Sequence, residues 1–293
     1  MKKIVCEILV MVLIIAMVAC GAACGSTEPT ETKTPIPGGK DHILTVGMEC
    51  AYAPYNWTQM DDSNGAVPIV NNPGTYANGY DVMIAKKIAD HYGWELEVMA
   101  LEWDGLHPAL NAGTIDVAIA GQSMTADRMA EVDMAGPYYY ATIVCLTKAD
   151  SPLASATSIS QLSGTCTSQS GTIWYDTCLP QITGAERQAP AASAPDMINA
   201  LVTGTVDFVC TDLPTANGAV AKNDDLVVLN FAGTEGDFQF ADEAERAENV
   251  NIGVSVAKGN ADLQKNLNDF LATMTEADFN SIMENAISIQ PEI

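Results

Sequence analysis

A chain of 293 residues is long enough for one large domain or two modest ones, and with 48% hydrophobic residues it can bury a sizeable core. Only 13 Lys and Arg stand against 37 Asp and Glu, giving a formal net charge of -24. That balance excludes a nucleic-acid binder, which needs clustered cations to displace counterions, and makes an anionic membrane surface a poor partner.

The chain begins with Lys2 and Lys3, followed by an apolar run from Ile8 to Val18 that is short for a membrane span. Ala19-Cys20-Gly21 comes next, so residues 1–19 read as a secretory signal peptide with a small residue before the cut. A Cys directly after the cut resembles the lipobox of bacterial lipoproteins, in which the thiol is diacylated. The resemblance implies lipidation at Cys20 and attachment to the extracytoplasmic face of the cell membrane. Cys24 is a second candidate, but Gly21 stands three residues before it, where a bulky apolar residue is expected. Residues 20–40 follow as a linker: the stretch STEPTETKTPIPGGK is dominated by Thr, Pro, Glu and Gly and offers too little apolar surface to fold. No later apolar run is long enough to span a membrane, so the lipid is the expected membrane contact.

From residue 42 strand and helix signals alternate. His42 to Met48 reads as a strand, and residues 60–78, rich in Asn, Asp, Gly and Pro, as a long hairpin or loop. Val82, Ala85, Ile88, Ala89 and Tyr92 recur at helical spacing, and Gly93 suits a left-handed helix end. Glu95 to Leu101 is a strand, Leu106 to Leu110 a short helix, and Ile115 to Ala120 a buried strand. After a break, Thr142 to Thr147 is a strand and a second alternation starts near residue 157. Thr165 to Ser168 is strand-like, Gly171 opens a helix, and Val206 to Cys210, Leu226 to Phe231 and Asn251 to Ala257 are strands. Two helices close the chain, one with an apolar stripe of Leu263, Leu267, Phe270, Leu271 and Met274, the other opening on a capping-box pair, Thr275 and Asp278. This alternation predicts an α/β protein with largely parallel sheets, and its restart suggests two lobes. No internal sequence repeat is visible.

Five of the eight cysteines fall in the folded body, and Cys166 and Cys178 are candidates for a disulfide, which Cα geometry decides. No CxxC or His cluster at ligand spacing is present, so no metal is expected. Neither a nucleophile–base–orienter set nor a phosphate-binding Gly-rich loop appears, so catalysis and cofactors are not expected either.

Four stretches, in order, carry a resemblance: VGMECAYAPYNW from Val46, EWDGLHPALNAGTIDVAIAGQSMTADR from Glu102, SQSGT from Ser168 and GTVDFVCTD from Gly204. Together they resemble the polar-amino-acid class of bacterial extracellular solute-binding proteins, family 3, and the closing NIGVSVAKGNADLQKNLNDFL fits the same family. The resemblance implies a periplasmic-binding-protein-like fold of two α/β lobes joined by a two-segment hinge, with the ligand clamped between them. Lobe 1 would be residues 41–142 and 248–293, and lobe 2 residues 143–247. It also implies a monomer that delivers its amino acid to an ABC permease and ATPase complex.

A free amino acid presents a carboxylate beside an ammonium, so its site needs a fixed cation and a fixed anion. Arg suits the carboxylate because its planar fork donates two parallel hydrogen bonds. The chain has three, Arg128, Arg187 and Arg246, and Arg128 follows Thr125, a candidate helix N-cap. The resemblance places the carboxylate on Arg128 and, from the other lobe, on Gly171 and Thr172. It gives the ammonium to Asp212, which ends a strand at the mouth expected for the cleft, with Gly121 and Ser123 completing both ends. Tyr52 and Trp103 are expected to sandwich the ligand side chain. Glu49, where the family commonly has Asp, favours a cationic or donating side chain, and Gln122 adds a polar contact. The expected ligands are arginine, lysine, histidine or glutamine. Two alternatives share the scaffold: a cyclohexadienyl-dehydratase-like enzyme with Glu49 as its acid, and an extracellular amino-acid sensor.

Overall fold

The computed structural model describes residues 34–39 and 41–291; the apolar run, Cys20, Cys24 and the linker as far as residue 33 lie outside the described residues. The first lobe opens with β1 (Ile43–Met48) and four short strands, β2 (Ala51–Tyr52), β3 (Asn56–Gln59), β4 (Val67–Pro68) and β5 (Tyr76–Asn78). It continues through α1 (Tyr80–Tyr92), β6 (Glu95–Ala100), α2 (Leu106–Asn111), β7 (Val117–Ala118), α3 (Ala126–Glu131) and β8 (Asp133–Tyr139). The second lobe contains β9 (Ile143–Lys148), β10 (Gly164–Thr167), β11 (Ala185–Arg187), α4 (Ala194–Val202), β12 (Phe208–Asp212), α5 (Leu213–Lys222), β13 (Leu226–Leu229) and α6 (Glu243–Val250). The chain then returns to the first lobe with β14 (Ile252–Val256), α7 (Ala261–Leu271) and α8 (Glu276–Ile289).

Each lobe is built on a five-stranded sheet. The orders are β6-β1-β7-β14-β8 and β11-β10-β12-β9-β13. In the first, β6, β1 and β7 run parallel, and β14 runs antiparallel to β7 and β8. In the second, β11, β10 and β12 run parallel, and β9 runs antiparallel to β12 and β13. Four strands of each sheet follow one spatial order, the second in the chain at the edge, then the first, the third and, beyond an antiparallel strand, the fourth; that inserted strand comes last in the chain in lobe 1 (β14) and first in lobe 2 (β9). The expected α/β architecture of two lobes is present.

Local physics explains most elements. The stripe Val82, Ala85, Ile88 and Ala89 is buried in α1, and Gly93 ends that helix at φ 67°, where a side chain would be strained. Both halves of the Thr275–Asp278 capping box are formed at the start of α8. In lobe 2 the period-two alternation of strands sorts side chains between two cores: Phe208 and Cys210 of β12 face one, Val209 the other. Val144 and Leu146 join Val209 in a core shared with α4, α5 and lobe 1, whereas Ile143 and Cys145 pack with Cys166, Cys178 and Phe231. All five body cysteines are buried and free, so Cys166 and Cys178 are not joined.

The structure departs from the sequence expectations in several places. The run Ile115–Ala120 pairs as strand only over Val117–Ala118, because Gly121 turns the chain at φ 63°. After Gly171 the expected helix is one π turn, Trp174–Cys178, that tightens into a 3-10 turn over Leu179–Gln181. Residues 60–78 supply β4 and β5 to a small antiparallel sheet ordered β2-β3-β5-β4. Helices α4, α5 and α6 were not anticipated. The end of the expected linker is docked: Ile36 is buried in the lobe 1 core, and Asn260 Nδ2 donates to the Pro37 carbonyl at 3.0 Å. The last helix touches both lobes, with Gln290, just beyond α8, donating through Nε2 to the Gly218 carbonyl of α5 at 3.2 Å. Among the described residues, no helix is long and apolar enough to cross a membrane.

Candidate functional site

The chain leaves β1 through Glu49 and Cys50. Cys50 sits at φ 55°, a conformation that disfavours side chains, and is held there by its N–H, which donates to Asn56 Oδ1 at 2.7 Å. Asn56 Nδ2 in turn donates to Asp81 Oδ2 at 2.8 Å, and the Tyr138 hydroxyl donates to Asp81 Oδ1 at 2.7 Å. The Gly121 N–H donates to the Tyr138 oxygen at 3.0 Å. Asp81, in the first turn of α1, thus ties the Glu49–Tyr52 loop to the Gly121 loop. Burial pushes its carboxyl up to about 7, against the pull of these donors.

Arg128 stands in α3, whose Thr125 cap accepts the Arg128 N–H at 3.2 Å. Its guanidinium donates to the Ser123 carbonyl in lobe 1 and to the Gly171 carbonyl in lobe 2, the latter at 3.3 Å. The Trp103 ring lies 5.4 Å from Cζ. Among the described residues no carboxylate forms an ion pair with Arg128. Burial lowers its pKa to about 10, with Glu131 pulling the other way. A desolvated guanidinium bonded only to carbonyls is electrostatically incomplete and favours an anion. Around it opens a cleft of about 730 Å³ lined by Trp103, Gln122, Arg128, Gly171 and Thr172, with Asp104, Asp176 and Glu245 among its acids.

Glu49 faces lobe 2. Gln169 Nε2 donates to its Oε1 at 3.4 Å, while its buried Oε2 has no donor among the described residues. Burial raises this carboxyl to about 7, and Glu102, Asp81 and Asp104 push the same way. Asp212 is differently placed. It caps α5 and is 1% exposed, so it lies behind the cleft rather than at its mouth. Its Oδ2 accepts from the Tyr52 hydroxyl at 2.8 Å and the Thr215 hydroxyl at 2.9 Å. Its Oδ1 accepts from the Thr215 N–H at 3.0 Å and the Tyr55 hydroxyl at 3.3 Å. Burial raises the Asp212 carboxyl, and those donors oppose the rise.

The expected residues therefore fall into two connected groups. Trp103, Gln122, Arg128, Gly171 and Thr172 wall the open cleft, and Ser123 lends it a carbonyl. Tyr52 and Asp212 meet behind it, with Gly121 against the Tyr52 ring, where a Cβ would come within 2.8 Å of Cε1. Glu49 stands at the lobe boundary opposite Gln169. The Gln122 amide is held within lobe 1, its Oε1 accepting from the Ser255 hydroxyl at 2.7 Å. Sequence reasoning missed Gln169, Tyr55, Thr215 and Asp81. Gln169 and Tyr55 lay inside the quoted motifs, but a motif does not say which of its side chains turn towards the cleft. Among the described residues no cluster of His, Cys, Asp and Glu is arranged to hold a metal ion.

An anion seat in an interlobe cleft and, at the lobe boundary, an acid with one oxygen still without a donor among the described residues are what a binder of small charged solutes requires. Residues 44–286 match the model of the bacterial extracellular solute-binding proteins, family 3. The chain belongs to that family. Its relatives within the family-3 solute-binding proteins include the L-cystine-binding protein TcyA of Bacillus subtilis (strain 168), 25% identical over 283 residues, covering 94% of this chain and 93% of that one. A probable histidine-binding protein of Neisseria gonorrhoeae is 26% identical over 271 residues, covering 90% of this chain and 87% of that one. Among solved structures, an amino acid ABC transporter substrate-binding protein from Streptococcus pneumoniae Canada MDR_19A, bound to L-arginine, superposes with a TM-score of 0.70 at 25% identity. It covers 86% of this chain and 96% of its own.

Proposed function

We propose that this chain captures a free polar or basic L-amino acid (arginine, lysine, histidine or glutamine) outside the cytoplasm for an ABC importer. The observation that carries this reading is Arg128: a guanidinium without a carboxylate partner, holding one carbonyl from each lobe at the edge of the cleft. The ligand carboxylate takes the guanidinium together with Thr172 and the backbone at Gly171. The ammonium goes to Asp212, with Gly121 and Ser123 completing its surroundings. The side chain runs between Tyr52 and Trp103 towards Glu49, whose free oxygen supports a cationic or donating end. Gln122 lines the same path. Because both lobes contribute, ligand favours the closed arrangement. The protein is held to the membrane by a lipid on Cys20, works as a monomer, and passes its cargo to a permease with its ATPase.

The test is a thermal-shift screen of the full chain, stripped of carried-over ligand, against the twenty amino acids, cystine and ornithine. At a hundredfold excess over its dissociation constant, a ligand adds about 2.7 kcal/mol. Stabilisation by a small basic or amide set is the expected result; no stabilisation by any of them overturns the reading. A second reading, a dehydratase acting on a cyclic amino-acid precursor, draws support from Glu49. A half-buried carboxyl pushed up to about 7 is poised as a general acid. Turnover of such a precursor that Glu49→Gln abolishes would establish it in place of the first.

A further inference from the structure

Asp212 has no acceptor position left. A carboxylate offers about four lone-pair sites, and all are used: Tyr55 and the Thr215 N–H at Oδ1, Tyr52 and the Thr215 hydroxyl at Oδ2. An ammonium arriving here must displace a donor. The Thr215 bonds form the cap of α5, so losing them frays that helix. Tyr55 is fully buried, with its ring set edge-on to Tyr80 and Tyr139. Tyr52 is the remaining candidate. It lies on a two-residue strand beside the strained Cys50, and its ring is stacked on Tyr55 at 4.9 Å, a face along which it can slide. Its oxygen lies 3.1 Å from the Thr215 hydroxyl, whose one proton goes to Asp212, so the Tyr52 hydroxyl ties lobe 1 to Asp212 of lobe 2.

We propose that the Tyr52 hydroxyl is an internal stand-in for the ligand ammonium: in the empty protein it ties the lobes together at Asp212, and the ligand binds by displacing it. This rests on the amino-acid reading above and makes Tyr52 a determinant of affinity and selectivity as well as a wall of the pocket. An ammonium forms a stronger, charge-assisted bond to Asp212 than the neutral phenol it replaces. A ligand lacking the ammonium has nothing to exchange for the displaced hydroxyl and leaves it in place.

The test is Tyr52→Phe in the full chain, which removes one oxygen and keeps the ring. Two readouts are taken after the melting transition has shown the variant folded. In hydrogen–deuterium exchange of the empty protein, residues 169–173 and 213–217 should exchange faster than in the wild type. In calorimetric titration with L-arginine, L-lysine, L-histidine, L-glutamine and L-cystine, the dissociation constant of whichever binds should fall at least about threefold, while that of its des-amino counterpart stays unchanged. Unchanged exchange, or an unchanged or weakened affinity, overturns the proposal. If no amino acid of the thermal-shift screen binds the wild type, the amino-acid reading fails and takes the displacement step with it; exchange then decides the interlobe tie alone.

Discussion

Glu49 of lobe 1 and Asp212 of lobe 2 both stand where a strand gives way to the interlobe region, yet among the described residues one has an oxygen without a donor and the other accepts two hydrogen bonds at each oxygen. The cause is local. Asp212 precedes a helix, so the first turn of α5 supplies a free N–H and a hydroxyl at once. Glu49 precedes a turn whose nearest donor, the Cys50 N–H, is committed to Asn56. An acid at the end of a strand is thus a ligand seat or a cap according to the element that follows it.

The widest test of this contrast is Arg128→Ala, which removes the one Lys or Arg that lines the cleft among the described residues. Binding of any α-amino acid should weaken by at least ~100-fold in calorimetric titration, since the ligand carboxylate is left without its cationic partner. A smaller loss would transfer the anion seat to lobe 2, where Gly171 and Thr172 stand. Next comes Glu49→Gln: cationic ligands should weaken roughly tenfold and neutral amide ligands less. Equal loss across ligands would remove Glu49 from the side-chain end. Acidity gives the smallest effect. Glu49 and Asp81 rise from 4.5 and 3.8 to about 7 on folding, so between those values the folded chain holds more protons than the unfolded one. That contribution is full below about pH 4 and is lost as the pH climbs through 7. The empty protein should therefore melt higher at pH 5 than at pH 8, and Glu49→Gln should flatten part of the slope. An unaltered slope in the variant would show that Glu49 keeps its charge in the fold.

Much of lobe 1 was legible because its signals are short-range. The stripe of α1 with Gly93 behind it, and the Thr275–Asp278 box, are each complete within about one helix. Lobe 2 was less so. Helix α6 buries only Val250 among its residues, leaving no apolar stripe to read, and α5 carries Pro214 and Gly218, which argue against a helix unless Asp212 is recognised as its cap. The position of Arg128 was legible through its motif. The engagement of Asp212 was not, because its tyrosine donors lie 160 and 157 residues away in sequence and meet it only when the lobes do. The order that four strands of each sheet share was equally hidden, since an arrangement of strands can recur without any recurrence of side chains.

The place of β14 in its sheet governs the order in which a nascent chain can be finished. β8 is held to the first sheet only through β14, which is made last among the strands, whereas every strand of the second sheet lies between residues 143 and 229. During synthesis the middle of the chain can complete its sheet while the first part waits, with β8 unpaired, for some hundred residues more. Limited proteolysis of chains arrested near residue 240 should find the segment of β9 to β13 protected while β8 is still cut; early protection of β8 would show that it finds another partner in the meantime.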